Sequence, residues 1–415
     1  MLTDRAPTTQ VGDPARLPAA YWRQWTASAI SNLGDGINFV AMPLLALTLT
    51  DDERLLALTT VATFVPWLVL ALPGGVVVDR LDRQTLMVTA NVVRIALFAI
   101  VAVGAIDGWL SIGLLVTLLV VIGACEVLFD STAQAFLPML VEVDQLARAN
   151  GFLFAAEIVA GSLAGLALGA FLFDASVGLP FASNAVSFAV AALLIASIRV
   201  RRAGLGAPLP GLADDRRLRA GVRWLREEPV LRTLAGMFTI TNLGLMFGQG
   251  IFVKYATVEL GLDSVEYGVL LAITAMGAAT GGLVGPRVID RLGLRASVVV
   301  PFVVFGPAQV VIGLAPAAWI VGAVGFVLGF AITTWNVATV TVRQRIIPGE
   351  RFGRVNAVYR WLGAAASASG VAAGGFVAYA TNLRMPFLVG GGLAVAAVVL
   401  FARPMLRRLP AESAR

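Results

Sequence analysis

Six ionisable side chains stand inside otherwise apolar stretches of this 415-residue chain: Asp35, Arg94, Glu126, Asp130, Glu157 and Arg360. A charge placed among apolar residues is costly, so such groups usually face an interior cavity and mark a route for protons, ions or substrate. Glu126 and Asp130 are four residues apart, which puts both carboxylates on one helical face. Partly withdrawn from water, a pair of that kind suits the uptake and release of a proton. Four acids and Arg94, at comparable depths, would form a network in the first half of the chain. Arg360 stands alone at that depth in the second half. Arg94 and Glu157 read equally well as members of a structural ion pair. Polar and aromatic residues at Asn38, Asn242, Gln249, Trp335, Asn336 and Trp361 are candidates for the wall of the same cavity.

Other chemistry is excluded early. The chain has no histidine, which removes His-dependent triads, His-ligated metals and His proton relays. Cys125 is the only cysteine and lies in an apolar run, so disulfides and thiolate clusters are out. No Gly-x-x-x-x-Gly-Lys-Ser/Thr loop offers a nucleotide site. Neither a cofactor nor a metal is implied, and nothing marks an enzyme.

The elements that must position these residues follow from composition. Hydrophobic residues make up 58% of the chain and charged residues 13%. A soluble domain carries about 45–50% and about 25% respectively, so the solvent for most of this surface must be lipid. Twelve apolar runs, each near the bilayer-spanning length, predict transmembrane helices over 22–50, 55–78, 85–106, 110–137, 150–173 and 179–198. The second six cover 233–256, 265–286, 296–314, 317–342, 355–381 and 385–402. The polar start, 1–21, lacks the short apolar core and cleavage site of a signal peptide. The long connection 199–232 is basic. Within it Leu218, Val222 and Leu225 share one helical face, opposite Arg216, Arg219, Arg223 and Arg226. That pattern fits either a helix on the membrane surface or a solvated linker.

Charge then orients the chain. With the N-terminus cytoplasmic, 26 of the 31 Lys and Arg fall in cytoplasmic segments, and the outer loops hold only Arg54, Lys254 and Arg384. The bias places both termini, including the tail 403–415, in the cytoplasm. The count also turns the net charge of +6 into a topology signal rather than a sign of nucleic-acid binding. An internal repeat is visible as well. Asp79-Arg80-Leu81 follows the second run and Asp290-Arg291-Leu292 the eighth, 211 residues apart. Arg148-Ala149-Asn150 and Arg354-Val355-Asn356 match at a spacing of 206. Two matches at nearly one offset predict two parallel six-helix halves, 22–198 and 233–402.

These features resemble the major facilitator superfamily over nearly the whole chain. Its loop motif after the second helix, Gly-x-x-x-Asp-Arg-x-Gly-Arg-Lys/Arg, is met by Gly75, Asp79, Arg80 and Arg83, with Asp82 and Gln84 as departures. In the second half Asp290, Arg291, Gly293 and Arg295 meet it, with Pro286 and Leu294 departing. Ser31–Gly36, Leu137–Val141 running on to Asn150, and Gly221–Arg232 are similar to the branch of the enterobactin exporter and Mef-type macrolide efflux pumps. In the physical reading, the Asp-Arg turns form interhelical ion pairs that latch one conformation, or serve as plain positive-inside anchors. Gly161, Gly165 and Gly169 leave one helix edge bare for close packing.

The resemblance implies an all-α major facilitator fold of twelve transmembrane helices in two pseudo-symmetric bundles. It implies a monomer in a bacterial cytoplasmic membrane that exports a hydrophobic or amphiphilic small molecule, with protons as the coupling ion. A proton-coupled importer of the same fold and a non-transporting receptor or scaffold are the alternatives.

Overall fold

The computed structural model describes residues 17–70, 81–199, 223–347 and 349–408, and every regular element among them is helical. The first six helices are α1 (Ala19–Leu49), α2 (Glu53–Leu70), α3 (Arg83–Ile106), α4 (Ile112–Phe136), α5 (Arg148–Ala175) and α6 (Leu179–Ala196). The others are α7 (Pro229–Glu259), α8 (Ser264–Gly293), α9 (Arg295–Leu314), α10 (Ala318–Ile346), α11 (Gly349–Ala380) and α12 (Met385–Arg408). Eleven of them are long and apolar enough to cross a membrane, and the apolar part of α12, Met385–Phe401, is shorter.

Local chemistry sets the helix starts. Asp82 caps α3 by accepting from the Thr85 N–H at 2.8 Å, and Ser111 caps α4 through the Leu114 N–H. Asp263 and Glu266 form a reciprocal capping box at α8. Pro180 and Pro229 stand in the first turns of α6 and α7, where a missing N–H costs nothing.

Helices α1–α6 and α7–α12 pack mainly among themselves, and the two sets meet along α2–α11 and α5–α8. The closest approach in the first set is α1 against α5. A Cβ at Gly36 would lie 2.1 Å from the Gly161 carbonyl oxygen, so only glycine allows the backbones to touch there. Over Glu157–Gly165 the α5 backbone is π-helical, and a second π-helical turn closes α7 over Tyr255–Glu259. Wide turns of this kind are frequent at functional sites.

Between α8 and α9 the chain turns at Gly293, with φ 80° and ψ 156°. That region is essentially closed to residues with a Cβ, at a cost on the order of 1–3 kcal/mol. Gly293→Ala is therefore expected to destabilise the protein by about 1–3 kcal/mol. A thermal melt of the purified protein should register the change, and an unchanged midpoint would show that the turn tolerates a side chain.

Of the loop-motif residues, Gly75, Asp79 and Arg80 lie outside the described residues. Arg83 donates to the Ala135 carbonyl at 3.1 Å and to Met139 Sδ at 3.2 Å, tying α3 to the end of α4. Asp290 and Arg291 are exposed at the end of α8, and Arg295 opens α9. The amphipathic stretch of the central connection is also mostly outside the described residues. Its last part, 223–227, is helical with Leu225 buried.

Among the described residues, polar links between the two sets of helices lie at the opposite end, around the 50–52 turn. Lys254 on α7 pairs with Glu53 of α2 at 2.7 Å and also donates to the Asp51 carbonyl. Arg54 on α2 lies 3.7 Å from the centre of the Tyr379 ring on α11. Hydrogen bonds from the Arg54 guanidinium and N–H hold the Asp52 carboxyl down at about 2, so this turn stays anionic at any ordinary pH.

Candidate functional site

A cavity of about 690 Å³ lies where the two sets of helices face each other. One wall carries acids: Asp35 from α1, Glu126 and Asp130 from α4, and Glu157 from the first π-helical turn of α5. The i, i+4 spacing on α4 does bring its two carboxylates onto the cavity side together. Gly36, Gly161 and Ser162 complete this wall, where α1 and α5 meet backbone to backbone. Ser31 stands one helical turn before Asp35 and is buried.

Arg94 stands behind this wall rather than in it. It is only 2% exposed, with its guanidinium between the Phe188 ring at 4.8 Å and the Phe129 ring at 5.5 Å. Asp35 and Asp130 are both within its electrostatic range, as are Asp35, Glu126 and Asp130 of one another. Arg360 is within electrostatic range of Asp130 as well. Four carboxylates meet the cavity, and one buried cation backs them.

The opposite wall is aromatic. Trp335 of α10 stacks on Phe238 of α7 at 5.3 Å and meets the edge of Phe302 of α9 at 5.3 Å. Phe252, Phe305 and Phe387 continue the surface. Asn242, Gln249 and Asn336 place polar groups in it. Asn242 is held by donating to the Gly363 carbonyl at 3.0 Å and the Ser367 hydroxyl at 2.8 Å.

Two candidates are placed elsewhere. Asn38, three residues past Asp35, does not line the cavity, whereas Phe39 does. Trp361 follows Arg360 on α11, about 100° further round the helix. It is 43% exposed and outside the cavity. Arg360 lines a neighbouring pocket together with Arg343, a residue that the sequence shows only as one more cytoplasmic-side arginine. Arg343 directly follows the apolar run 317–342, and the helix continues past it to Ile346.

An all-helical membrane body with a drug-sized cavity between two helix sets is the architecture of a secondary transporter. The sequence pattern of the transmembrane secretion effector family, a major facilitator group, matches residues 15–415, and the chain belongs to that family. Its members are multi-pass membrane transporters of small molecules, not enzymes. The chain is 27% identical over 405 residues to the multidrug efflux pump Tap of Mycolicibacterium fortuitum, covering 93% of this chain and 96% of that one. It is 21% identical over 354 residues to macrolide efflux protein A of Streptococcus pyogenes, covering 81% and 83%. The fold is similar to that of a bacterial homologue of the iron transporter ferroportin in an inward-facing state. That likeness has a TM-score of 0.72 and 17% identity over 95% of this chain and 99% of that one.

Proposed function

We propose that this protein exports a hydrophobic or amphiphilic small molecule by alternating access, in exchange for protons. The observation that carries the reading is the cavity itself, where an acidic wall faces an aromatic one. Its volume of about 690 Å³ suits a drug-sized ligand, for which cavities of roughly 300–1,000 Å³ are usual. Four carboxylates outnumber the two arginines in range of them, Arg94 and Arg360, and call for further positive charge, which protons or a cationic group supply. The named activities of Tap and macrolide efflux protein A support the outward direction.

The basic bias of the loops supports cytoplasmic termini in a bacterial cytoplasmic membrane, and the protein acts as a monomer. On that orientation the Lys254–Glu53 link seals the outer end. The cavity then continues through the Arg343 and Arg360 pocket toward the cytoplasmic turn between α10 and α11.

The test is a drug and dye panel on a pump-deficient bacterium with and without the protein. Expression should lower intracellular accumulation of several amphiphiles and raise resistance to them, and a protonophore should cancel both effects. Increased accumulation would favour the importer, and no change across the panel would favour a non-transporting role.

A further inference from the structure

The second pocket, of about 180 Å³, adjoins the central cavity and shares Phe238, Trp335 and Asn336 with it. Two guanidiniums line it, Arg343 from α10 and Arg360 from α11, and no carboxylate does. Arg343 is held in place. Its Nη1 donates to Asn356 Oδ1 at 2.7 Å, its Nε to the Thr339 carbonyl at 3.4 Å, and it lies 4.9 Å from the Tyr359 ring centre. With Oδ1 engaged, the Asn356 amide presents its N–H groups as further donors. Arg360 lies 4.9 Å from the ring centre of Trp67 on α2 and within electrostatic range of Asp130, with no carboxylate in the lining of this pocket itself. Two oriented guanidiniums and an amide form a donor set suited to the paired oxygens of a carboxylate, sulfonate or phosphate.

We propose that this pocket is an anion subsite and that the exported molecule is a zwitterionic amphiphile. Its anionic group sits between Arg343 and Arg360, its apolar body lies along Phe238 and Trp335, and its cationic group faces the Asp35, Glu126 and Asp130 wall. The inference rests on the export reading and narrows the substrate class. A lipid headgroup offers the same anionic chemistry, so the test must separate the two sources.

The probes are rhodamine B, which carries a delocalised cation and a carboxylate, and its ethyl ester, which keeps the cation and loses the anion. Binding of each to the full chain in phosphatidylcholine nanodiscs is read by fluorescence polarisation. The wild type should bind rhodamine B about tenfold more tightly than the ester, as a charge-assisted hydrogen-bonded contact provides. Arg360→Gln should abolish that preference without weakening binding of the cationic ester, while Arg360→Lys should keep part of it. Equal binding of both dyes, binding of neither, or an undiminished preference in Arg360→Gln would overturn the proposal. Loss of the wild-type preference when phosphatidylglycerol is added would assign the pocket to a headgroup and overturn the substrate assignment. Export is read separately, from ester efflux in cells: a protein that pumps the ester but shows no preference keeps its function and lacks the subsite.

Discussion

The Glu126→Gln/Asp130→Asn double variant is expected to reach the membrane normally yet fail to accumulate substrate against a gradient. Both carboxylates share one face of α4 and line the cavity within electrostatic range of Asp35. A coupling acid must take its proton from one side and give it to the other, so it needs a place whose solvation changes as the helices move. The cavity wall is such a place; the buried position of Arg94 is not, and that cation acts as a fixed counter-charge. Each coupled proton under a one-unit pH gradient is worth about 1.4 kcal/mol, or tenfold in accumulation. Removing the coupling site should thus collapse the ratio by about tenfold per proton, while substrate exchange without net proton movement survives. Substrate-induced proton release from the purified protein is the direct measurement. Undiminished release in the double variant would move the coupling site to Asp35 or Glu157.

Much of this site was legible because intramembrane charge is rare. Asp35, Glu126, Asp130 and Glu157 stand out of apolar runs, and helical spacing alone predicted that two of them share a face. The layering was not legible, since depth along a helix says nothing about whether a side chain points into the cavity or away from it. Arg94 and Asp35 lie at similar depths, but Phe129 and Phe188 enclose the arginine. Aromatic residues were harder still: Trp335 and Trp361 look alike in sequence, and only the helix contacts decide that one stacks on Phe238 while the other is exposed. The π-helical turn that begins at Glu157, a residue lining the cavity, has no reliable sequence mark.

Long-range pairing of basic residues is equally hidden from the sequence. By sequence, Arg54, Lys254 and Arg384 are exceptions to the basic bias of the loops. In the structure each meets an acid: Asp52 at 2.6 Å, Glu53 at 2.7 Å and Glu259 at 3.1 Å. Only the second links the two helix sets, and its partners are 201 residues apart, beyond any local pattern.

Lys254→Met is accordingly expected to loosen the sealed end. The pair is mostly buried, with side-chain exposures of 13% and 18%, and Lys254 also holds the Asp51 carbonyl. Exposed pairs contribute roughly 0.2–1 kcal/mol, whereas breaking a buried one costs about 3–5 kcal/mol, so this link belongs between those limits. If it exists only while this end is closed, a loss of about 1.4 kcal/mol moves the closed-to-open ratio tenfold. The reporter is a cysteine at Asn242 in a Cys125→Ser background, labelled by an impermeant maleimide from outside the cell. Labelling should rise about tenfold in Lys254→Met and in Glu53→Gln. The charge swap Glu53→Lys/Lys254→Glu should restore closure only in part, because the new glutamate would face the Asp51 carbonyl that the lysine now satisfies. Labelling equal to wild type in both single variants would show that this end is held by packing of α2 on α11, with the ion pair a bystander.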